Sequence, residues 1–237
     1  MKILLAIPVV ASFLQAAVGQ QLGWVYPYDS MALSEKCLSM LNTTIPACSP
    51  ALMENAPGPQ IMYDILDSET LSKVCHERCY TSLKEFRAKV VSACNTEMDA
   101  VAFKHKNTIF PPTYMVDLLL LSYEVYCYQD RDTGKFCDLQ LAEWRNHRES
   151  DNPLRCEDCL LGPQRVQLQA PIGYDQDDAD KFHDLTSSCS ATGYEYATPT
   201  QYATGSTDCS GPGDHDDYVV VPRLCGCTST TSTSGMI

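Results

Sequence analysis

Between Ser68 and Cys94 the apolar positions fall at Leu71, Val74, Cys75, Cys79, Leu83, Phe86, Val90 and Cys94. Apart from the adjacent Val74 and Cys75, successive gaps are three or four residues, the period of one helix face. Ser68 can cap the start, and Glu69 lies near the positive end of the dipole. Lys73, Glu77, Lys84 and Lys89 fall on the opposite side and expect water. The spacing therefore predicts one long amphipathic helix over 68–94. Cys75 and Cys79, one turn apart on its buried face, cannot easily bridge each other, so each is expected to reach a different partner.

Other segments follow the same logic. Residues 30–41 predict a short helix with Met31, Leu33, Cys37 and Met40 inward. Cys48, Pro50, Pro57, Gly58 and Pro59 mark a loop. Residues 95–110 are mixed, with a helical turn at 99–101. Pro111 and Pro112 open a helix over 113–126 whose Met115, Leu118, Leu119, Leu121 and Val125 make it the most apolar stretch after the leader. Asp132-Thr133-Gly134 is turn chemistry and predicts a small hairpin closed by a Cys127–Cys137 bridge. Three more helices are expected: 139–149 around Trp144, one opened by Cys156 and running to Leu168, and 175–188. The last begins with Asp175, Asp177 and Asp178, where the dipole favours acids.

After Gly193 the periodicity stops. Residues 194–207 are rich in Thr, Tyr, Ala and Ser and read as a linker. Tyr218 to Val221 is a strand candidate, and 228–234 is of low complexity. The expected organisation is a leader over 1–19, an all-α disulfide-rich domain over 20–193, a linker over 194–217 and an irregular tail over 218–237.

The first residues carry Lys2, an apolar run and the small residues Ala17 and Gly19. This is the pattern of a secretory signal peptide cut before Gln20 or Gln21. No later stretch is long and apolar enough to span a membrane. Export gives the thirteen cysteines a meaning, because thiols in an oxidising compartment pair as disulfides. Cys37, Cys48, Cys75, Cys79, Cys94, Cys127, Cys137, Cys156, Cys159 and Cys189 form an even set for five bridges. Besides Cys127–Cys137, the expected partners of Cys75 and Cys79 are Cys156 and Cys159. Cys209, Cys225 and Cys227 leave an odd thiol. Asn42-Thr43-Thr44 is the single glycosylation sequon. A net charge of −13 repels phosphate backbones and argues against nucleic acid as a partner.

Chemistry-bearing patterns are sparse. Cys156-x-x-Cys159 lacks the second pair that a zinc site needs, and a structural role is preferred. His76, His105, His147, His183 and His215 are scattered along the chain. Asp214-His215-Asp216-Asp217 has donors for a weak cation site, but reads more simply as a solvated acidic turn. Hydrolase, zincin and phosphate-loop motifs are lacking, so neither catalysis nor a cofactor is expected. Tyr194, Tyr196, Tyr202 and Tyr218 could stack on sugar rings, a weak signal within a Thr-rich linker.

From Cys156 onward the chain resembles secreted fungal LysM-domain proteins. The resemblance rests on Cys156-x-x-Cys159, Leu161-Gly162, Gln167-Leu168-Gln169, Gly173-Tyr174-Asp175 and the run Leu185 to Cys189. Upstream, Cys75, Cys79, Cys94 and the Cys127/Cys137 pair fit the same layout. It implies a secreted carbohydrate-binding protein, with chitin or chitin oligosaccharides as partner, acting as an effector that sequesters chitin fragments from a host. In that family the chitin-binding LysM module begins Tyr-x-Val-x-x-Gly-Asp-Thr. Tyr218-Val219-Val220-Val221 matches its start, but Arg223-Leu224-Cys225 stands where Gly-Asp-Thr belongs, and only twelve residues follow. The resemblance thus implies a truncated or degenerate module and assigns no sugar-contacting residue. The chain as written is expected to hold chitin weakly or not at all. The alternative is an exported disulfide-braced scaffold or wall-associated protein without chitin binding.

Overall fold

The computed structural model describes residues 31–45, 47–56, 64–105, 108–146, 156–204 and 218–219. Eight α-helices lie among them: α1 (Glu35–Leu41), α2 (Pro50–Asn55), α3 (Ser68–Val74), α4 (Glu77–Ala93), α5 (Tyr114–Tyr126), α6 (Cys137–Asn146), α7 (Asp158–Leu168) and α8 (Gln176–Ser188). The molecule is mostly helical and carries five disulfides among the described residues.

The expected helix over 68–94 is broken into α3 and α4 at Cys75 and His76. Asp67, rather than Ser68, caps α3 by accepting from Thr70 N. Cys75 (φ −86°, ψ 64°) and His76 (φ −108°, ψ 125°) leave the helical region, and the His76 carbonyl then accepts the first bonds of α4, from Cys79 and Tyr80. The break lets the two cysteines face different directions. Cys75 reaches Cys127 at the end of α5, and Cys79 reaches Cys48 just before α2. The buried stripe of α4 keeps the predicted spacing: Cys79, Leu83, Phe86, Val90 and Ala93.

The remaining bridges also differ from the expected set. Cys37 pairs with Cys94, tying α1 to the end of α4. Cys137 pairs with Cys159 rather than Cys127, and Cys156 pairs with Cys189. The 128–137 turn exists, but hydrogen bonds close it. Asp130 N donates to Lys135 O at 2.8 Å, Gly134 N to Asp130 O at 2.8 Å, and Cys137 N to Tyr128 O at 3.0 Å. Gly134 adopts φ 69°, which a residue without a side chain reaches cheaply.

Two segments expected to be irregular are ordered. Pro50 starts α2 in a first turn that needs no proline N–H, with Ser49 accepting from Ala51 N. Within the mixed stretch, Glu97–Ala100 is a 3-10 turn, and β1 (Phe103–His105) and β2 (Thr108–Phe110) form a hairpin in register Phe103↔Phe110, Lys104↔Ile109 and His105↔Thr108. β3 (Tyr218–Val219), the piece that resembles a module start, pairs antiparallel with the other edge of β1. Thr204 forms a bridge with Thr108 at the β2 edge.

The main core gathers α1 to α5 around Leu33, Leu71, Leu83, Leu118, Leu119 and Tyr126. α7 packs on α5, α6 and α8. Leu161, Leu168, Ala179, Phe182 and Tyr194 make a second, smaller core.

Candidate functional site

Residues 194–204, the start of the expected linker, lie against the helices and are placed by their tyrosines. Gly193 turns the chain with φ 80°. Tyr194 is then buried, and its hydroxyl donates to Asp158 Oδ1 at 2.9 Å. Asp158 also accepts from Tyr128 Oη at 3.2 Å, Arg131 Nε at 2.7 Å and Arg131 N at 2.9 Å. The Arg131 guanidinium covers the Tyr194 ring at 4.3 Å. A buried carboxylate thus ties the 128–137 turn, α7 and residue 194 together. It is tolerated because its lone pairs are filled by donors, one of them a guanidinium. Burial and the Asp158 carboxylate hold the phenols of Tyr128 and Tyr194 above their usual range, Tyr128 at about 12.

Farther along, Tyr202 packs its ring on Phe110 at 5.3 Å and Tyr114 at 6.3 Å, and Ile109 N donates to Ala203 O at 2.8 Å. Two clefts flank this segment. The first, of 540 Å³, is lined by Phe182, His183, Thr186, Tyr194, Glu195 and Tyr196. The second, of 320 Å³, lies between α4, α5, the α7–α8 connection and residue 202.

The second cleft has a polar mouth and an apolar floor. Arg87 on α4 forms an ion pair with Asp117 on α5. Glu124, two turns further along α5, accepts from Tyr80 Oη at 2.6 Å, and that bond, with burial, pushes the Tyr80 phenol up to about 12. Leu120, Leu121, Pro171 and Ile172 supply the apolar lining. Gly173 holds this wall close: a Cβ there would stand 2.5 Å from the Gln167 carbonyl oxygen and 2.8 Å from Leu121 Cδ2. The Tyr202 hydroxyl is buried and has no hydrogen-bond partner. Burial, then the Asp117 charge, holds its phenol well above the usual range.

Of the residues singled out in the sequence, the structure brings Tyr194 and Tyr196 to the first cleft and Tyr202 to the second. His183 lines the first cleft, and His76 precedes α4. His147, His215, the Asp214–Asp217 cluster, Cys209, Cys225 and Cys227 lie outside the described residues. Among the described residues no group of three His, Cys, Asp or Glu is placed to hold a metal ion, and no helix is long and apolar enough to cross a membrane. Sequence reading missed Arg87, Asp117 and Glu124. The signal was there: Asp117 and Glu124 are the two charged residues of an otherwise apolar helix, seven apart and so on one face.

The family described as "Secreted LysM effector N-terminal domain" matches residues 25–151, a span that holds α1 to α6 and three of the five disulfides entirely. The chain belongs to this family. It is 28% identical over 202 residues to a secreted LysM effector of Pochonia chlamydosporia, covering 85% of this chain and 22% of that protein. It is 25% identical over 182 residues to a non-secreted LysM effector of Gibberella moniliformis, covering 73% of this chain and 23% of that one. The chain therefore spans less than a quarter of the length of these curated relatives. No solved structure matches it. Family membership and the disulfide-rich fold place it among secreted LysM effector proteins.

Proposed function

We propose that this protein is a secreted, non-catalytic effector that binds chitin or N-acetylglucosamine oligomers and keeps chitin fragments from a host. The observation that carries the reading is the match of residues 25–151 to a domain found in LysM effectors. Both relatives are named LysM effectors. The braced helical domain suits extracellular work, since five bridges limit the unfolded chain that proteases attack. Cleavage of the leader before Gln20 or Gln21 belongs to the same reading. So does a glycan on Asn42, which is exposed just after α1.

A second reading, an exported scaffold that binds no chitin, is favoured by one observation. Arg223-Leu224-Cys225 replaces the Gly-Asp-Thr expected after a LysM first strand. Retention of the full chain on insoluble chitin, compared with cellulose, separates the two. Selective retention supports the effector reading, and loss of retention on both polymers supports the scaffold.

A further inference from the structure

We propose that the cleft between α4, α5, residues 170–172 and Tyr202 is a binding site for one neutral N-acetylated sugar unit. The choice of sugar rests on the reading above; the existence of a polyol site rests on the cleft itself.

A buried hydroxyl left without a partner costs free energy, and native structures retain few of them. Tyr202 Oη is such a group, in the wall of a 320 Å³ cleft. That volume lies at the lower end of the range for small-molecule sites, roughly 300–1,000 Å³, which suits one ring rather than a chain of them. The other polar groups at the cleft are of the kinds that hold sugar hydroxyls. The Asp117 and Glu124 carboxylates accept, the Arg87 guanidinium donates, and Thr113 can do both. Neither carboxylate is used up: Asp117 spends one oxygen on Arg87 and Glu124 spends one on Tyr80. Leu120, Leu121, Pro171 and Ile172 offer an apolar surface for a ring face or an acetamide methyl. Two carboxylates against one guanidinium disfavour an anionic sugar.

The larger cleft is a poorer candidate. Its most buried hydroxyl, on Tyr194, is already committed to Asp158, and most of its other polar residues are exposed. The smaller cleft also draws on four separate stretches of chain, so it forms only in the folded domain. A sugar hydroxyl in the cleft would give Tyr202 Oη the partner that it lacks.

The test is a chemical-shift titration of the full, oxidised chain with N,N′,N″-triacetylchitotriose, with cellotriose as the control. Saturable shifts are expected at amides of 113–124, 170–173 and 202, with cellotriose bound about tenfold more weakly. Tyr202→Phe should lower affinity five- to tenfold while leaving the melting temperature equal or higher, because it removes an unsatisfied buried hydroxyl. Asp117→Asn should lower affinity as well. Shifts elsewhere, or unchanged affinity in Tyr202→Phe with the fold intact, would overturn the site. Retention on insoluble chitin without these shifts would overturn the site and leave the effector reading standing. Shifts at the cleft without retention would support the site and narrow the effector reading to soluble oligomers.

Discussion

Two buried aspartates show how residues of one type come to oppose each other in this fold. Asp99 accepts from Thr96 Oγ1 at 2.6 Å, Ser34 N at 2.8 Å, Ser34 Oγ at 3.0 Å and Thr96 N at 3.2 Å. Burial raises its pKa, but these hydrogen bonds together outweigh burial and hold it below the usual range. Asp138 is also buried and accepts from Leu66 N at 2.7 Å; here burial dominates and pushes the pKa to about 6. Between the unfolded value of about 4 and the folded value of about 6, native Asp138 holds a proton that the unfolded chain has lost. Its contribution is therefore full below about pH 4 and falls as pH rises through about 6. Asp99 behaves oppositely: its contribution is present above about pH 4 and is lost as pH falls through its depressed pKa. Replacing Asp138 by Asn, which can still accept from Leu66, is expected to stabilise the domain by about 1–3 kcal/mol at pH 7 and by little at pH 4. Urea unfolding at the two pH values measures this. Equal effects at both would mean that Asp138 titrates normally.

At the scale of elements, Gly162 and the disulfides decide how α7 sits. Gly162 lies inside α7, followed by Pro163, and both choices look unfavourable by helix propensity. Propensity alone says that Gly162→Ala should stabilise. A Cβ at this position would overlap the Tyr128 ring, which reaches across from the turn after α5. Gly162→Ala is therefore expected to destabilise by roughly 1–3 kcal/mol, read as a lower denaturation midpoint, because the aromatic ring has to move. Tyr128→Leu should rescue part of the loss. Elements also explain the pairing. Cys127 follows the last turn of α5 and meets the α3–α4 break, whereas Cys137 starts α6 and faces α7. A non-reducing peptide map should recover Cys75–Cys127 and Cys137–Cys159. Recovery of Cys127–Cys137 would contradict this arrangement.

At the scale of the whole molecule, the second core is held to the first through α7 and through Tyr194. Its five principal residues are few, so the Cys156–Cys189 and Cys137–Cys159 bridges do much to keep it formed. Under partial reduction the α7–α8 part should open first, seen as early loss of amide protection over 158–188, while the α1–α5 core persists. Simultaneous loss across the domain would mean that the two cores form one cooperative unit. The packed tyrosines make a related expectation: native-state proteolysis should spare the bonds beside Tyr194 and Tyr202. A buried ring keeps its stretch of backbone from being pulled away from the domain into a protease cleft.

Much was legible from the sequence alone. Periodicity along α4, α5 and α8 reflects the 3.6-residue turn and one buried face, so local order was enough to place those helices and the all-α class. An exported, acidic, disulfide-bonded chain of the LysM effector kind was legible too, because composition and motif spacing survive without coordinates. Tertiary structure decided the rest. The break at Cys75–His76 carries no proline or glycine; it separates two cysteines that bridge to different elements, Cys75 to Cys127 and Cys79 to Cys48. The pairing of ten cysteines depends on which helix ends meet, and loop length favours a nearer partner than the one chosen. Tyr194 and Tyr202 look like linker residues until a buried carboxylate and a β-hairpin give them something to pack against. The 320 Å³ cleft was illegible for the same reason: Arg87, Asp117, Ile172 and Tyr202 lie far apart in the chain, and only folding brings one unsatisfied hydroxyl among them.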